Sequence, residues 1–354
     1  MKKYNLITAS LLTLGLTACG AQNTSTTNES TTAQGTSAPG APGAEPFWAY
    51  AGKTGIGTSY EQYQNGQYTD AAATGHVSKV WFSIAKGMIT ETMFGLIHQA
   101  QIKDMQFIVT GKDFTVSEAD DLNVTIDYLH KDAQGRPLSL AYKVTSTDKQ
   151  GRFSLEKHIF TDPDGQTLFV RSVFNTELEG LKAYVSVNPY INNNGFGDFA
   201  KTTEKGLVAW EDDNYLSLQS ASPFKAKTVG FTGKSDGINT LKTTQSINTL
   251  YTNTGETAGN VSMLAELGEI TANTTFDLAL SFGKTQQQSI QQGEQSLAKG
   301  YQTVLDHYNG KGEALGWEDY LQSLKPLNTM VEQTADNGKL LYTSAMVLKA
   351  TQEH

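Results

Sequence analysis

The sequence predicts a mainly β protein, an antiparallel β-supersandwich followed by C-terminal α-helices. Between 49 and 283 the apolar residues gather in short β-branched or aromatic runs divided by turn residues. Two of these runs, one around Trp81 and Ser83 and one around Met88 and Thr90, flank Lys86-Gly87 and read as a tight hairpin. After Thr285 the apolar spacing changes to three, four and seven, the period of an amphipathic helix. Many short strands in series, without helices between them, call for a sandwich rather than a βαβ sheet.

The chain has 354 residues, 38% of them hydrophobic, enough to bury a substantial core. Its formal charge of −9 and pI near 5.2 provide no basic field for a phosphate backbone, which excludes nucleic acid as a partner.

The first nineteen positions read as a secretion signal. Lys2 and Lys3 give the positive end, an apolar run follows, and Leu16-Thr17-Ala18-Cys19 resembles the bacterial lipoprotein box. That box implies cleavage before Cys19, lipid attachment to its sulfur, and a membrane-anchored, periplasm-facing or outer-membrane location. Cys19 is the chain's single cysteine, so no disulfide forms within it. Positions 20–45 are mostly Ser, Thr, Asn, Gln, Gly, Ala and Pro, the composition of a disordered tether, with order expected from Pro46.

Strands are expected at 138–146, 152–160, 167–174, 181–188, 206–210, 215–218, 224–231, 261–267 and 275–282, with the sandwich domain occupying 46–283. Asp162-Pro163-Asp164-Gly165 supplies a turn between two of them. Linker helices then fill 284–326, one of them running from 285 to 308 and stopped by Asn309-Gly310. A second, short helix carries Trp317, Tyr320, Leu321 and Leu324. In 327–354 a third helix begins near Asn337, and its apolar face is wider than a surface helix needs.

Read in order, GKTGIGT (52–58), SKVWFSIAKGMITE (78–91) and IKDMQFIVTG (102–111) resemble the opening of the N-terminal domain of bacterial glucoamylases and glucodextranases, glycoside hydrolase family fifteen. The resemblance implies a galactose-mutarotase-like supersandwich that performs no chemistry, packed on a helical (α/α) barrel that carries the catalytic glutamates. LYTSAMVLKATQEH (341–354) is similar to the first helix of that barrel. On this expectation the chain stops where the barrel starts and lacks both catalytic carboxylates.

The candidate sites are few. Asn192-Asn193-Asn194-Gly195-Phe196-Gly197-Asp198 has the composition of a sugar-contact loop, with Asn193, Asn194 and Asp198 to bond hydroxyls and Phe196 to stack on a pyranose; an ordinary long turn has the same composition. Gly52-Lys53-Thr54 is no phosphate loop, because position 47 is Phe where a glycine is needed. The Asp162 turn departs from a calcium loop in the place of its glycine and at Val173, its twelfth position. Glu156 and His158 share a strand face, yet two residues do not make a site. The remaining histidines lack ligand spacing, and His98 departs from the aspartate more usual in the family. No metal and no cofactor are expected.

Inverting hydrolysis needs an acid and a base about 6.5–9.5 Å apart. Gly316-Trp317-Glu318 inverts the residue order that marks the family's acid, so Glu318 is not assigned that role. The expected function is therefore that of a non-catalytic N-terminal domain of a secreted glucoamylase-like hydrolase, with an α-glucan or oligosaccharide and the helical barrel as partners. The alternative is a stand-alone lipoprotein that binds carbohydrate or serves assembly. A mutarotase-like enzyme would rest on sandwich architecture alone.

Overall fold

The computed structural model describes residues 33–64, 67–68, 77–119, 122–324 and 327–352. Cys19 and the signal segment lie outside them. The strands begin with β1 (Ala33–Ser37), β2 (Lys53–Thr58), the short pair β3 (Tyr63–Gln64) and β4 (Gln67–Tyr68), β5 (Val80–Ala85), β6 (Met88–Phe94) and β7 (Ile102–Thr110). They continue with β8 (Thr115–Ser117), β9 (Leu122–Tyr128), β10 (Tyr142–Asp148), β11 (Ser154–Asp162), β12 (Thr167–Asn175) and β13 (Lys182–Pro189). Then come β14 (Phe199–Thr202), β15 (Gly206–Glu211), β16 (Asn214–Ser220), β17 (Ala226–Phe231), helix α1 (Gly237–Thr244), β18 (Thr249–Asn253), β19 (Val261–Glu269) and β20 (Thr274–Gly283).

One sheet has the order β1-β18-β14-β15-β16-β20-β12-β11-β10-β9, and the other β17-β19-β13-β7-β6-β5-β2, with β8 on β7. Lys86 and Gly87 both take positive φ, the geometry of the tight hairpin turn whose twist matches its flanking strands. The sheets are joined through aromatic pairs: Phe107 meets Phe174 at 5.9 Å, Phe94 stacks on Phe282 at 5.5 Å and Phe82 meets Tyr142 edge-on at 6.0 Å. Alternating residues of each strand feed this interior, which is why runs of valine, isoleucine and phenylalanine announced it in the sequence.

Two expectations about this part of the chain need correction. Order begins before Pro46, because Ala33–Ser37 pairs in parallel with β18 and Ala38 is buried. The polar side chains that read as a tether are no obstacle, since backbone groups make the pairing and Thr252 and Asn253 add bonds to the Thr36 carbonyl. A helix also lies inside the strand region, at α1. Its Asp236 cap accepts from Asn239 N at 2.8 Å, a local signal that the run of strands hid.

The predicted helix at 285–308 is two helices, α2 (Gln286–Lys299) and α3 (Tyr301–Asn309). Gly300, at φ 80° and ψ 160°, separates them, a backbone conformation that is essentially open to glycine alone. α2 lies on β16 and β20, where Ser281 Oγ donates to Ser289 O at 2.7 Å and Gln219 Nε2 to Ile290 O at 2.9 Å. α3 presses Tyr308 against Phe160.

The last elements are α4 (Trp317–Ser323), α5 (Leu327–Met330) and α6 (Lys339–Ala350). Two buried indoles fasten them to the sandwich: Trp317 Nε1 donates to Thr58 O at 3.0 Å, and Trp81 Nε1 to Ala350 O at 2.9 Å. α6 buries Tyr342, Met346 and Ala350, while Leu340 and Leu348 remain 69% and 74% exposed on its other side. The wide apolar face thus has a partner on one side only among the described residues.

Candidate functional site

The asparagine loop leaves β13 through a 3-10 turn at Ile191–Asn193, with Asn192 and Asn193 both at positive φ, where asparagine is among the better-tolerated residues. Its side chains fasten it to its neighbours. Asn193 donates to His98 O and accepts from Ala100 N, both at 2.9 Å, and so holds the β6–β7 connection. Asn194 Nδ2 donates to Glu211 Oε1 at 2.5 Å, while its carbonyl accepts from Phe196 N. Asp198 is fully buried, and its Oδ1 accepts from Ile191 N. Of the four residues predicted for sugar contact, Asn193, Asn194 and Phe196 are exposed, Phe196 by 41%, while Asp198 is not.

Gly197 leaves room for the Glu211 carboxylate, since a Cβ there would lie 1.7 Å from Glu211 Oε1 and displace that side chain. The close approach brings Glu211 beside Asp198. Burial, and after it the neighbouring Glu211 charge, push the Asp198 carboxyl well above the usual range, against the opposing pull of Ile191 N–H.

His98, held through its backbone by this loop, lies at the rim of a cleft of about 600 Å³ where α6 meets β2, β5 and β6. Trp48, Ile56, Met93, Ile97 and Val347 give it an apolar lining. Its buried carboxylate, Glu91, accepts from Tyr50 N at 2.7 Å and Ser83 Oγ at 3.2 Å and pairs with Lys53 at 3.2 Å. Tyr142, whose hydroxyl burial pushes well above its usual range, donates to Ile56 O at 2.9 Å. With these polar atoms engaged, the cleft offers mainly apolar surface, continuous with half-exposed Trp48, which rests on Tyr190 at 5.1 Å.

The other carboxylates weighed for chemistry have structural partners. Glu156 contacts His158 Nε2 at 2.8 Å, and His158 Nδ1 contacts the Tyr301 hydroxyl at 2.6 Å, joining β11 to α3. Burial pushes that hydroxyl up to about 12, although Arg171 over the ring acts the other way. In the Asp162-Pro163-Asp164-Gly165 turn the cation is an ammonium: Lys299 Nζ lies 2.7 Å from Asp162 and 3.1 Å from Asp164. Burial acts to raise the Glu318 carboxyl, but Lys311 and His130 outweigh it and hold it below its usual range. Among the described residues no group of three or more His, Cys, Asp or Glu is placed to hold a metal.

The model of the glucodextranase N domain matches residues 38–322, the sandwich from β2 onward with its first helices. The chain belongs to the glucodextranase N-domain family. A curated glucoamylase of Clostridium sp. (strain G0005) is 30% identical over 321 residues, covering 88% of this chain and 41% of its own length. A solved bacterial glucoamylase, crystallised with acarbose, superposes with a TM-score of 0.75 at 27% identity over 91% of this chain and 44% of its own. The N domain and its trailing helices thus span less than half the length of these relatives. Sequence reasoning missed the apolar cleft, whose walls come from segments as distant as Trp48 and Val347; the unpartnered face of α6 was its one local signal.

Proposed function

We propose that this chain is the non-catalytic N-terminal part of a glucoamylase-like hydrolase of α-glucans, and that it serves as the base on which a helical catalytic barrel packs. The observation that carries the reading is the apolar cleft between α6 and the sandwich, next to the exposed Leu340 and Leu348. Its buried carboxylate and Tyr142 hydroxyl are engaged within the chain and its surface is mainly apolar, which suits packing against further protein. Glycoside inversion needs one protonated and one ionised carboxyl across the substrate. Glu156 and Glu318 are instead bound to basic partners on separate elements. Asn193, Asn194, Phe196 and Asp198 form the proposed oligosaccharide-contact loop, with Asn193, Asn194 and the Phe196 ring as its exposed part. Cys19 is the proposed lipid-attachment site, which would place the domain in the cell envelope.

The test is glucose release from starch, maltodextrin and dextran by the purified chain, beside a longer protein in which a relative's barrel follows α6. Activity confined to the longer protein supports the reading. Sustained release by the short chain, lost in Glu156→Gln, would overturn it.

A further inference from the structure

Three aromatic rings stand in a row across the outer face of the ten-stranded sheet. Trp210 of β15 is paired across the strands with Phe199 of β14 on one side and with Tyr215 of β16 on the other. Tyr215 alternates with Ser217 and Gln219, and Gln219 bonds α2, so the row lies on the face that carries this helix. The ring planes are nearly parallel, 16° apart for Phe199 and Trp210 and 13° for Trp210 and Tyr215, with centroids 5.5 and 6.2 Å apart. Stacked carbon atoms touch at about 3.5–4.0 Å. The rings are therefore displaced sideways from one another, and each leaves part of its face uncovered. Cross-strand ring pairs also stabilise a sheet, but none of these three belongs to the core, and all three remain partly exposed.

The row ends at α2. Tyr215 lies opposite Gly283 of β20, just before the helix begins at Gln286. At the other end of β15, Lys205 in the preceding turn pairs with Glu294 of α2 at 3.1 Å. From Gly206 to Trp210 the strand rises about 13 Å, and from Glu294 back to Gln286 the helix rises about 12 Å, so the two run side by side. This flank of α2 holds a hollow of about 670 Å³ lined by Gln286, Gln287, Ile290, Gln291 and Glu294. Gln287 and Gln291 are exposed, and among the described residues the amides of Gln286, Gln287 and Gln291 make no hydrogen bond. Each can both donate and accept. The charges bordering the hollow occur in pairs, Lys205 with Glu294 and Lys284 with Asp213 at 3.3 Å, and favour neither an anion nor a cation. Ile290 is the one apolar side chain of the five, too little for the apolar centre of a protein interface.

Accessible amides beside open aromatic faces suit a neutral polyhydroxy chain, whose hydroxyls exchange hydrogen bonds with the amides while its C–H faces pack on the rings. The row of rings covers two strand spacings, about 10 Å, and the helix flank adds its own length, which fits an extended chain rather than a single ring. We propose that this surface binds an extended neutral oligosaccharide, an α-linked glucan, with Trp210 and Tyr215 under its sugar units and Gln286, Gln287 and Gln291 bonded to its hydroxyls. The choice of an α-linked glucan rests on the reading above; the site itself rests on the rings and the unengaged amides. Phe196 and the asparagine loop are not part of it.

The experiment is electrophoresis of the purified chain in native gels containing soluble starch, with calorimetric titration by maltoheptaose and by cellohexaose. It is repeated on Trp210→Ala, on Gln287→Ala/Gln291→Ala and on Phe196→Ala, with thermal melts of all four proteins. Retardation by starch and saturable binding of maltoheptaose are expected, weakened about tenfold in Trp210→Ala by the loss of a stacking face. The glutamine double variant should weaken binding about fivefold, the worth of a hydrogen bond. Its melt should match the parent's, because alanine suits exposed helix positions, so its loss of affinity separates binding from stability even if Trp210→Ala folds poorly. Phe196→Ala should bind as the parent does. Absence of saturable binding to both oligosaccharides, or undiminished affinity in the Trp210 and glutamine variants, overturns the site, as does a loss confined to Phe196→Ala. Binding of cellohexaose and not of maltoheptaose overturns the choice of an α-linked glucan, and none of these results depends on whether any form of the chain hydrolyses starch.

Discussion

Lys157 on β11 and Glu118 after β8 form an ion pair closed to solvent, with both side chains essentially unexposed between the two sheets. The lysine also donates to Gly87 O in the β5–β6 hairpin turn, and Glu118 accepts from Phe107 N at 2.9 Å and Ser146 Oγ at 3.2 Å. One buried contact therefore fixes the hairpin, β7, β10 and β11 against one another. Burial lowers the Lys157 pKa, opposed by the Glu118 charge. Lys157→Met should cost about 3–5 kcal/mol, because it leaves the Glu118 charge buried and uncompensated. Denaturant titration checks this, and the double variant Lys157→Met/Glu118→Gln should recover part of the loss.

The ion pair also marks what the sequence could and could not tell. Strand identity was legible because each strand's pattern is local: β11, β12, β13 and β19 fall within a few residues of their expected bounds. Lys157 lies between Glu156 and His158, which were weighed for chemistry, yet its alternate position on the strand is what sends it inward. Its partner is 39 residues away, and no local pattern reports that distance. The asparagine loop was legible as a loop, whereas the direction of its side chains depended on His98, Ala100 and Glu211 from other segments. The row of aromatic rings becomes visible only when β14, β15 and β16 are set side by side.

Gly300→Ala should destabilise the chain by about 1–3 kcal/mol through the backbone alone. Its φ of 80° disfavours any side chain, yet an added Cβ would meet no atom within 4 Å. Steric crowding is thereby excluded as the cause. Thermal denaturation of the variant measures the loss, and an unchanged melt would show that α2 and α3 can join into the continuous helix their periodicity implies.

Lys299→Met should cost about 1.5–3 kcal/mol, the worth of a hydrogen bond to a charged group, since it strips the ammonium from the nearly buried Asp162. It would also loosen the α2–α3 junction from the β11–β12 turn, where His307 Nδ1 lies 2.9 Å from Asp164. Because the lysine occupies the place a cation would take, calcium should leave the parent's melting temperature unchanged. A calcium-dependent rise in the parent would contradict this account of the turn.

Asp198 carries the clearest pH dependence. Its carboxyl is fully buried beside Glu211, and Oδ2 has no hydrogen-bond partner among the described residues. Burial first, and the Glu211 charge second, raise its folded pKa well above the unfolded value near 3.9. Between these two values the folded chain holds a proton that the unfolded chain has lost, so stability falls as pH rises through that window. The contribution is fully present below the ordinary carboxylate range and is lost as pH climbs through the raised value. Asp198→Asn, which imitates the protonated acid in shape and cannot ionise, should flatten this part of the pH–stability curve and make the chain more stable than the parent at neutral and alkaline pH. Denaturant midpoints of parent and variant from acid to alkaline pH provide the check. Parallel curves would mean that Asp198 keeps its charge in the fold, and that a partner for Oδ2 offsets both the burial and Glu211.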